Sequence, residues 1–168
     1  IHREFGGKLS NKKYAMVGDL KRGRTVRSLC RLLSLYDNIE IYFVSPKQLA
    51  MKKDTLDYLD SKNVKYHIVE DFEKVIKEVD VVYSTRIQDE HDKDNESKSI
   101  DCSKYYITKD NVELMKKNAI IMHPLPRREE ISPLIDDNER AVYWKQSRNG
   151  MWVRAALILK IFERENYI

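Results

Sequence analysis

Three clusters of polar residues each follow a short apolar run, and their side-chain types suit the binding of a small anion. The clusters are the segment 18–25, the segment 85–88 and the turn 123–127. Arginine holds a carboxylate through two parallel hydrogen bonds, and open α/β sheets collect ligands beyond the carboxyl ends of their strands. We therefore expect the three clusters to meet in one crevice that takes a small, multiply anionic ligand.

Arg86 and Gln88 are the polar side chains of the second cluster. Because they lie two residues apart, both side chains face the same way in an extended segment. Together they offer a guanidinium fork and an amide donor, which suits one carboxylate. The alternative is an ion pair of Arg86 with Glu129 or Glu130, and the sequence leaves the two interpretations open.

The first and third clusters add charge and carbonyl oxygens. Lys21 and Arg24 precede a predicted helix whose amino end carries partial positive charge. The segment matches neither glycine-rich phosphate-binding pattern, so a carboxylate or a single phosphate fits it better than a nucleotide. In the turn, Pro124 and Pro126 lack backbone donors and stiffen the chain. The carbonyl oxygens of Pro124 and Leu125 are therefore free to accept hydrogen bonds from a ligand N–H group.

His123 stands between the last apolar run and this turn. A lone histidine at a strand end more often packs or forms a structural hydrogen bond than acts as a general base. The chain shows no Ser-His-Asp arrangement, paired carboxylates or reactive cysteine, and its four histidines are scattered. The sequence therefore assigns no catalytic residue and no metal site within the chain.

Apolar runs of strand length alternate with helical patterns along the chain. This alternation predicts an α/β fold, a doubly wound, Rossmann-like sheet of mainly five parallel strands with helices on both faces. Asp71 and Thr108 are predicted to cap helices. Residues 89–104 interrupt the pattern, and the polar stretch 89–99 within them is predicted to be a mobile surface loop. The predicted strands are 13–17, 39–44, 65–69, 81–84 and 119–122, with a short extended piece at 142–144. The predicted helices are 25–35, 51–61, one that begins after Asp71, 108–115 and 149–166.

The last predicted helix, 149–166, carries apolar side chains around its whole circumference. Such a helix must be buried on more than one side. One side can cover the sheet, whereas the other needs a partner that the chain does not contain. We therefore expect a missing domain or subunit to pack on this helix.

The composition of the chain argues against some classes of function. The net charge of +4 comes from 31 basic and 27 acidic residues that are intermixed, so no basic face indicates nucleic-acid binding. No apolar stretch approaches a membrane span, and two cysteines without a paired spacing indicate a reducing compartment such as the cytoplasm.

Taken together, these segments resemble the carboxy-terminal, aspartate-binding domain of the aspartate carbamoyltransferase family. The similarity covers essentially the whole chain, and the combination is specific although each segment alone is weak. The matching segments are 15–21, 23–26, 85–88, 123–127, 149–150 and 154–157. Ornithine carbamoyltransferases share the fold, but they read an amino group where aspartate has a carboxylate, and Arg86 would repel that group.

The resemblance implies a reaction in pyrimidine biosynthesis, the transfer of a carbamoyl group from carbamoyl phosphate to the amine of L-aspartate. It implies that Arg24 holds the α-carboxylate of aspartate, that Arg86 and Gln88 hold the side-chain carboxylate, and that the carbonyls of Pro124 and Leu125 orient the reacting nitrogens. Lys21 and Arg127 would position loops. The remaining implications are no cofactor, a homotrimeric full-length enzyme, carbamoyl phosphate bound by an absent amino-terminal domain, and an inactive isolated chain.

Two other readings stay open at this point. One is a non-catalytic module that binds or senses a dicarboxylate, for which the last helix would be covered within the chain or by a homodimer. The other is a nucleotide-dependent oxidoreductase on the same fold, which the missing glycine pattern disfavours.

Overall fold

A five-stranded parallel sheet forms the centre of the protein in the order β3-β2-β1-β4-β5. The computed structural model describes residues 1–88, 100–164 and 166. The strands are β1 (Lys13–Gly18), β2 (Glu40–Val44), β3 (Lys65–Val69), β4 (Val81–Thr85) and β5 (Ile120–Met122). The predicted fold class is confirmed, and each strand begins and ends within one residue of its predicted bounds.

Helices cover both faces of the sheet. The helices are α1 (Arg24–Leu33), α2 (Lys53–Ser61), α3 (Phe72–Ile76), α4 (Lys109–Val112) and α5 (Tyr143–Ile161). Tyr14 and Met16 of β1 belong to the apolar cluster that contains α1 and α2, whereas Ala15 and Val17 belong to the cluster that contains α3 and α4. Because successive strand residues point to opposite faces, one short apolar strand supplies both cores.

The predicted caps are present. Asp71 accepts a hydrogen bond from the Lys74 amide at the start of α3, and Thr108 forms a capping box with Asn111 at the start of α4. Helix α4 is shorter than predicted and ends at Val112. Residues 89–99 of the predicted surface loop lie outside the described residues, and residues 103–105 form a single 3₁₀ turn.

The last helix begins at Tyr143, not at residue 149, and ends at Ile161, so the predicted bounds 149–166 are wrong. The predicted extended piece at 142–144 is reduced to the bridge from Ala141 to Ile121, and the helix begins immediately after Val142. The buried Tyr143 ring anchors its first turn. Gly150 lies inside the helix, with no atom within 4 Å of the position of a Cβ. Within the described residues, no helix has both the length and the apolar content needed to cross a membrane.

The carboxyl ends of β1 and β4 mark the point where the strand order changes direction. Gly18 has φ of +106°, and a Cβ there would lie 2.1 Å from the Thr85 carbonyl oxygen. The Thr85 hydroxyl donates a hydrogen bond to the Val17 carbonyl oxygen at 3.2 Å. Only glycine permits this close approach. A crevice lies between the two loops that follow these strands, at the switch point of the sheet.

Gly18→Ala should therefore lower the free energy of unfolding by about 1–3 kcal/mol, because the backbone must move away from Thr85. Gly150→Ala is the matched control, since it adds the same methyl group to open space on a helix and should raise stability by about 0.5–1 kcal/mol. Urea unfolding followed by tryptophan fluorescence measures both. Equal losses in the two variants would contradict the packing argument.

Candidate functional site

A cationic crevice opens between the loop after β1 and the loop after β4. It has a volume of about 490 Å³ and contains Arg24, Lys21 and Gln88, three of the predicted site residues. Within the described residues, five of its lining side chains are cationic and none is a carboxylate. The lining consists of Lys21, Arg22, Arg24, Thr25, Arg27, Lys52 and Gln88. The crevice lies at the amino end of α1, so the helix dipole adds to its positive potential.

Asp19 holds the two loops of this crevice together. The residue is fully buried, and its carboxylate accepts hydrogen bonds from the backbone amides of Arg22 at 3.0 Å and Gln88 at 3.2 Å. The Arg22 guanidinium lies 3.4 Å from the same carboxylate. Because one carboxylate binds both loops, Arg24 and Gln88 are kept at a fixed separation.

The loop that carries Lys21 is also held by backbone hydrogen bonds to Leu49. The backbone amides of Leu20 and Lys21 both donate to the Leu49 carbonyl oxygen, at 3.1 and 2.9 Å. Lys21 thus belongs to a segment of fixed backbone at the rim of the crevice, and its loop-positioning role stays a prediction.

Arg86 follows β4 directly and is half-buried. One of its guanidinium nitrogens donates to the Ile87 carbonyl oxygen at 3.1 Å. Of the two acids proposed as alternative partners, Glu130 contacts His123 and the Arg128 amide, and Glu129 accepts a hydrogen bond from the Tyr106 hydroxyl at 3.4 Å. The ligand role of Arg86 remains a prediction.

The turn after β5 places Pro124 and Leu125 next to the end of β4, since Met122 pairs with Tyr83. His123 is 1% exposed, and its backbone amide donates to the Gln146 side-chain oxygen of α5 at 3.0 Å. Its ring packs and forms hydrogen bonds within the turn, as its position at a strand end predicts.

Tyr83 joins the turn to the cationic crevice. Burial raises the pKa of the Tyr83 hydroxyl, and the neighbouring Thr25 and Gln146 side chains act in the opposite direction. Thr25 lies in the crevice lining, and Gln146 binds the His123 amide. The buried Tyr83 side chain therefore lies between the start of α1, the turn after β5 and helix α5.

Arg127 fixes the far end of the turn to helix α5. Its guanidinium binds the Asp136 carboxylate through both terminal nitrogens, with Nη2 at 2.6 Å from Oδ2. The Tyr143 hydroxyl donates to the same carboxylate at 2.5 Å, and the guanidinium lies over the Tyr143 and Trp144 rings. The Arg127 guanidinium thus contacts one carboxylate and two aromatic rings. These contacts are the physical basis of its predicted positioning role.

This cluster predicts acid sensitivity. The hydrogen bond from Arg127 lowers the pKa of Asp136 below its ordinary value of 3.8. A carboxyl with a lowered pKa in the folded state stabilises the fold above its ordinary pKa, and that stability is lost as the pH falls through the folded value. Asp136→Asn should therefore be less stable than the natural chain at neutral pH. The difference should shrink as the pH falls below 3.8. Thermal unfolding across acidic pH measures it, and a constant difference would contradict the linkage.

The two cysteines are buried. Burial raises the pKa of Cys30 to about 12 and that of Cys102 to about 11, so both thiols stay protonated at neutral pH. Cys30 is a buried apolar residue of α1, as predicted.

Sequence reasoning missed the residues that support the site from beneath. Asp19, Tyr83 and Gln146 have no assigned role in the sequence analysis, and Glu130 enters it only as a possible partner of Arg86, although each contacts a segment that carries a predicted ligand residue. One signal was available for Asp19, because a carboxylate between a buried strand and a glycine-flanked basic turn suits an Asx-type loop anchor. For the other three, only the folded chain shows what they contact.

Comparison with known proteins identifies relatives of this chain. A family model described as aspartate/ornithine carbamoyltransferase, Asp/Orn binding domain, matches residues 10–161. The aspartate carbamoyltransferase catalytic subunit of Methanocaldococcus jannaschii is 46% identical over 164 residues, which are 97% of this chain and 52% of that protein. The chloroplastic aspartate carbamoyltransferase of Arabidopsis thaliana is 45% identical over 157 residues, 90% of this chain and 39% of that protein.

Solved structures give the same result. The M. jannaschii catalytic subunit has a TM-score of 0.86 at 46% identity, over 97% of this chain and 54% of that chain. Aspartate transcarbamoylase from Trypanosoma cruzi, in complex with N-(phosphonacetyl)-L-aspartic acid, has a TM-score of 0.81 at 35% identity over 94% of this chain and 49% of that chain. The chain spans about half the length of these relatives.

Proposed function

Because the chain belongs to the aspartate/ornithine carbamoyltransferase family, we propose that it is the aspartate-binding half of an aspartate carbamoyltransferase. The complete enzyme transfers the carbamoyl group of carbamoyl phosphate to the amine of L-aspartate. The C–N bond forms, the C–O bond to phosphate breaks, and the products are N-carbamoyl-L-aspartate, phosphate and a proton. This reaction belongs to pyrimidine biosynthesis.

The observation that carries the proposal is the cationic crevice at the switch point of the sheet. Its lining holds cations and an amide donor over a buried anchor, Asp19, and this suits a small dicarboxylate. The relatives that match almost the whole chain are named aspartate carbamoyltransferases, which favours aspartate over ornithine.

Each predicted residue has a role in this proposal. Arg24 binds the α-carboxylate of aspartate, and Arg86 with Gln88 binds the side-chain carboxylate through charge-assisted hydrogen bonds. The carbonyl oxygens of Pro124 and Leu125 accept from the reacting nitrogens and orient them. Catalysis then comes from positioning and electrostatic stabilisation, without a cofactor or a covalent intermediate.

Helix α5 supplies the contact with the rest of the enzyme. Beyond its first turns the helix is apolar but uncovered within the described chain, with Trp152 61%, Ile161 67% and Phe162 69% exposed. Soluble proteins rarely leave so many large apolar side chains in contact with water. We propose that an amino-terminal, carbamoyl-phosphate-binding domain covers this surface, and that the complete enzyme is a cytoplasmic homotrimer.

Complementation tests the proposal. The part of the M. jannaschii subunit that this chain does not match is fused to the chain, and carbamoyl-aspartate production is measured. We expect turnover by this chimera and none by the chain alone, because we propose that carbamoyl phosphate binds to the amino-terminal domain. Turnover by the isolated chain would refute the half-enzyme assignment. A folded chimera that binds aspartate without turnover would favour the dicarboxylate-binding module.

Trp152→Glu in the same chimera tests the docking role of α5. The substitution puts a charge on the surface that the second domain is proposed to cover, so activity should fall while the isolated chain becomes more soluble. Lys160→Glu, a charge change on the same helix at an exposed polar position, is the control.

Size-exclusion chromatography of the chimera with light scattering reports whether it forms a trimer. Imaging of a tagged full-length protein tests the cytoplasmic assignment. This test matters because several relatives are chloroplastic.

A further inference from the structure

The His123 side chain forms a hydrogen bond with the turn that it precedes. The Leu125 backbone amide donates to the His123 Nδ1 atom at 2.9 Å. This contact, from a side chain to the amide two residues later, has the pattern of an Asx turn made by an imidazole. Leu125 has φ of +54°, a left-handed conformation that is strained for a non-glycine residue and persists only where the surroundings enforce it.

The same contact determines the tautomer of the imidazole. Because Nδ1 accepts a hydrogen bond, the proton of the neutral ring resides on Nε2. Nε2 lies 2.9 Å from a carboxylate oxygen of Glu130, a charged contact that favours a proton on Nε2, although the two groups are not aligned as a hydrogen bond. Burial acts to raise the pKa of Glu130, but the contact with His123 and the hydrogen bond from the Arg128 amide outweigh it and lower the pKa below its ordinary value of 4.5. Glu130 is therefore charged at neutral pH and favours this tautomer.

The hydrogen bond also orients a carbonyl group. The Leu125 N–H and the Pro124 C=O belong to one peptide unit, which is planar, so in the trans form the two bonds point in opposite directions. When the N–H points at the buried imidazole, the Pro124 oxygen therefore points away from it. The His123 amide is held by the Gln146 side chain, so the backbone that carries the imidazole is fixed as well.

We infer that His123 is a positioning residue for the reaction. Its Nδ1 atom fixes the direction of the Pro124 carbonyl by accepting the Leu125 N–H, and the Glu130 carboxylate beside Nε2 favours the neutral tautomer in which Nδ1 carries no proton. The inference rests on the proposed function only in giving that carbonyl a role toward the reacting nitrogens. His123 touches no substrate, and it takes and gives no proton during the reaction.

Two substitutions separate the Nδ1 contact from loss of the ring. His123→Asn places an amide oxygen close to the position of Nδ1 and can form the same turn, whereas the longer His123→Gln places its polar atoms near Nε2 instead. In the active chimera, His123→Gln should lower kcat by about 10- to 100-fold with little change in the KM for aspartate, since misplacement of a reacting group costs rate and leaves the carboxylate contacts intact. His123→Asn should regain most of that loss.

Nitrogen NMR of the histidine-labelled chain tests the hydrogen bond separately. His123 should show an unprotonated Nδ1 and a protonated Nε2 at neutral pH, and the His123→Gln and His123→Asn chains should melt at similar temperatures. A protonated Nδ1, or equal kcat in the two variants, would overturn the inference. A natural-sequence chimera without turnover would count against the proposed function instead, and the NMR result would still decide whether the imidazole holds the turn.

Discussion

Replacing Arg86 by alanine should raise the KM for aspartate by about tenfold to more than a hundredfold in the active chimera. The substitution removes a charge-assisted hydrogen bond worth about 1.5–3 kcal/mol, and each 1.4 kcal/mol corresponds to about one factor of ten. Arg86→Lys should recover little, because an ammonium group lacks the planar fork that binds two carboxylate oxygens. Initial rates at varied aspartate concentration measure the effect.

The control for Arg86 is Arg31→Ala. Arg31 is also an arginine, but it is exposed in the last turn of α1 and lies over the Tyr58 ring, away from the crevice. Its loss should leave the KM for aspartate unchanged. If Arg86→Ala lowers the melting temperature but leaves the KM unchanged, Arg86 is part of a structural ion pair and binds no ligand.

Replacing Asp19 by alanine should damage both the fold and the site. The carboxylate is fully buried, and its loss leaves the amides of Arg22 and Gln88 without their acceptor. We expect a loss of about 2–5 kcal/mol in the free energy of unfolding, because buried donors without partners keep their full desolvation cost. In the chimera, kcat/KM for aspartate should fall as well, since Gln88 and Arg24 lose their fixed separation.

Asp19→Asn and Asp57→Ala are the comparisons for this variant. The asparagine keeps one acceptor oxygen, so it should lose less stability than the alanine. Asp57 pairs with Lys53 on the exposed side of α2, and its removal should leave both stability and kinetics unchanged. Urea unfolding with a constant slope against denaturant would show that the change lies in the native state. An Asp19→Ala chain as stable as Asp57→Ala would contradict the anchoring role.

Local patterns were enough to locate most of the secondary structure. Each strand is a short apolar run with polar residues beyond its end, and burial on both faces leaves such a run no other stable arrangement. The caps at Asp71 and Thr108 are equally local, because a side-chain oxygen binds an amide only three residues away. The start of the last helix was misplaced because Val142, Tyr143 and Trp144 are residue types that favour an extended strand, while the packing of the buried Tyr143 ring acts over a longer range.

The sequence by itself determined the fold class, the positions of the strands, and which strand ends carry Arg24, Arg86, Gln88 and the proline turn. These follow from residue type and spacing over a few positions. Only the tertiary structure decided what holds those segments together. Asp19 accepts hydrogen bonds from the amides of Arg22 and Gln88, which lie 66 residues apart in two different loops. Tyr83 lies between α1 and α5, and His123 faces Glu130 across the turn. A buried polar group must find a partner wherever the chain brings one, and sequence spacing does not reveal that partner until the sheet has formed.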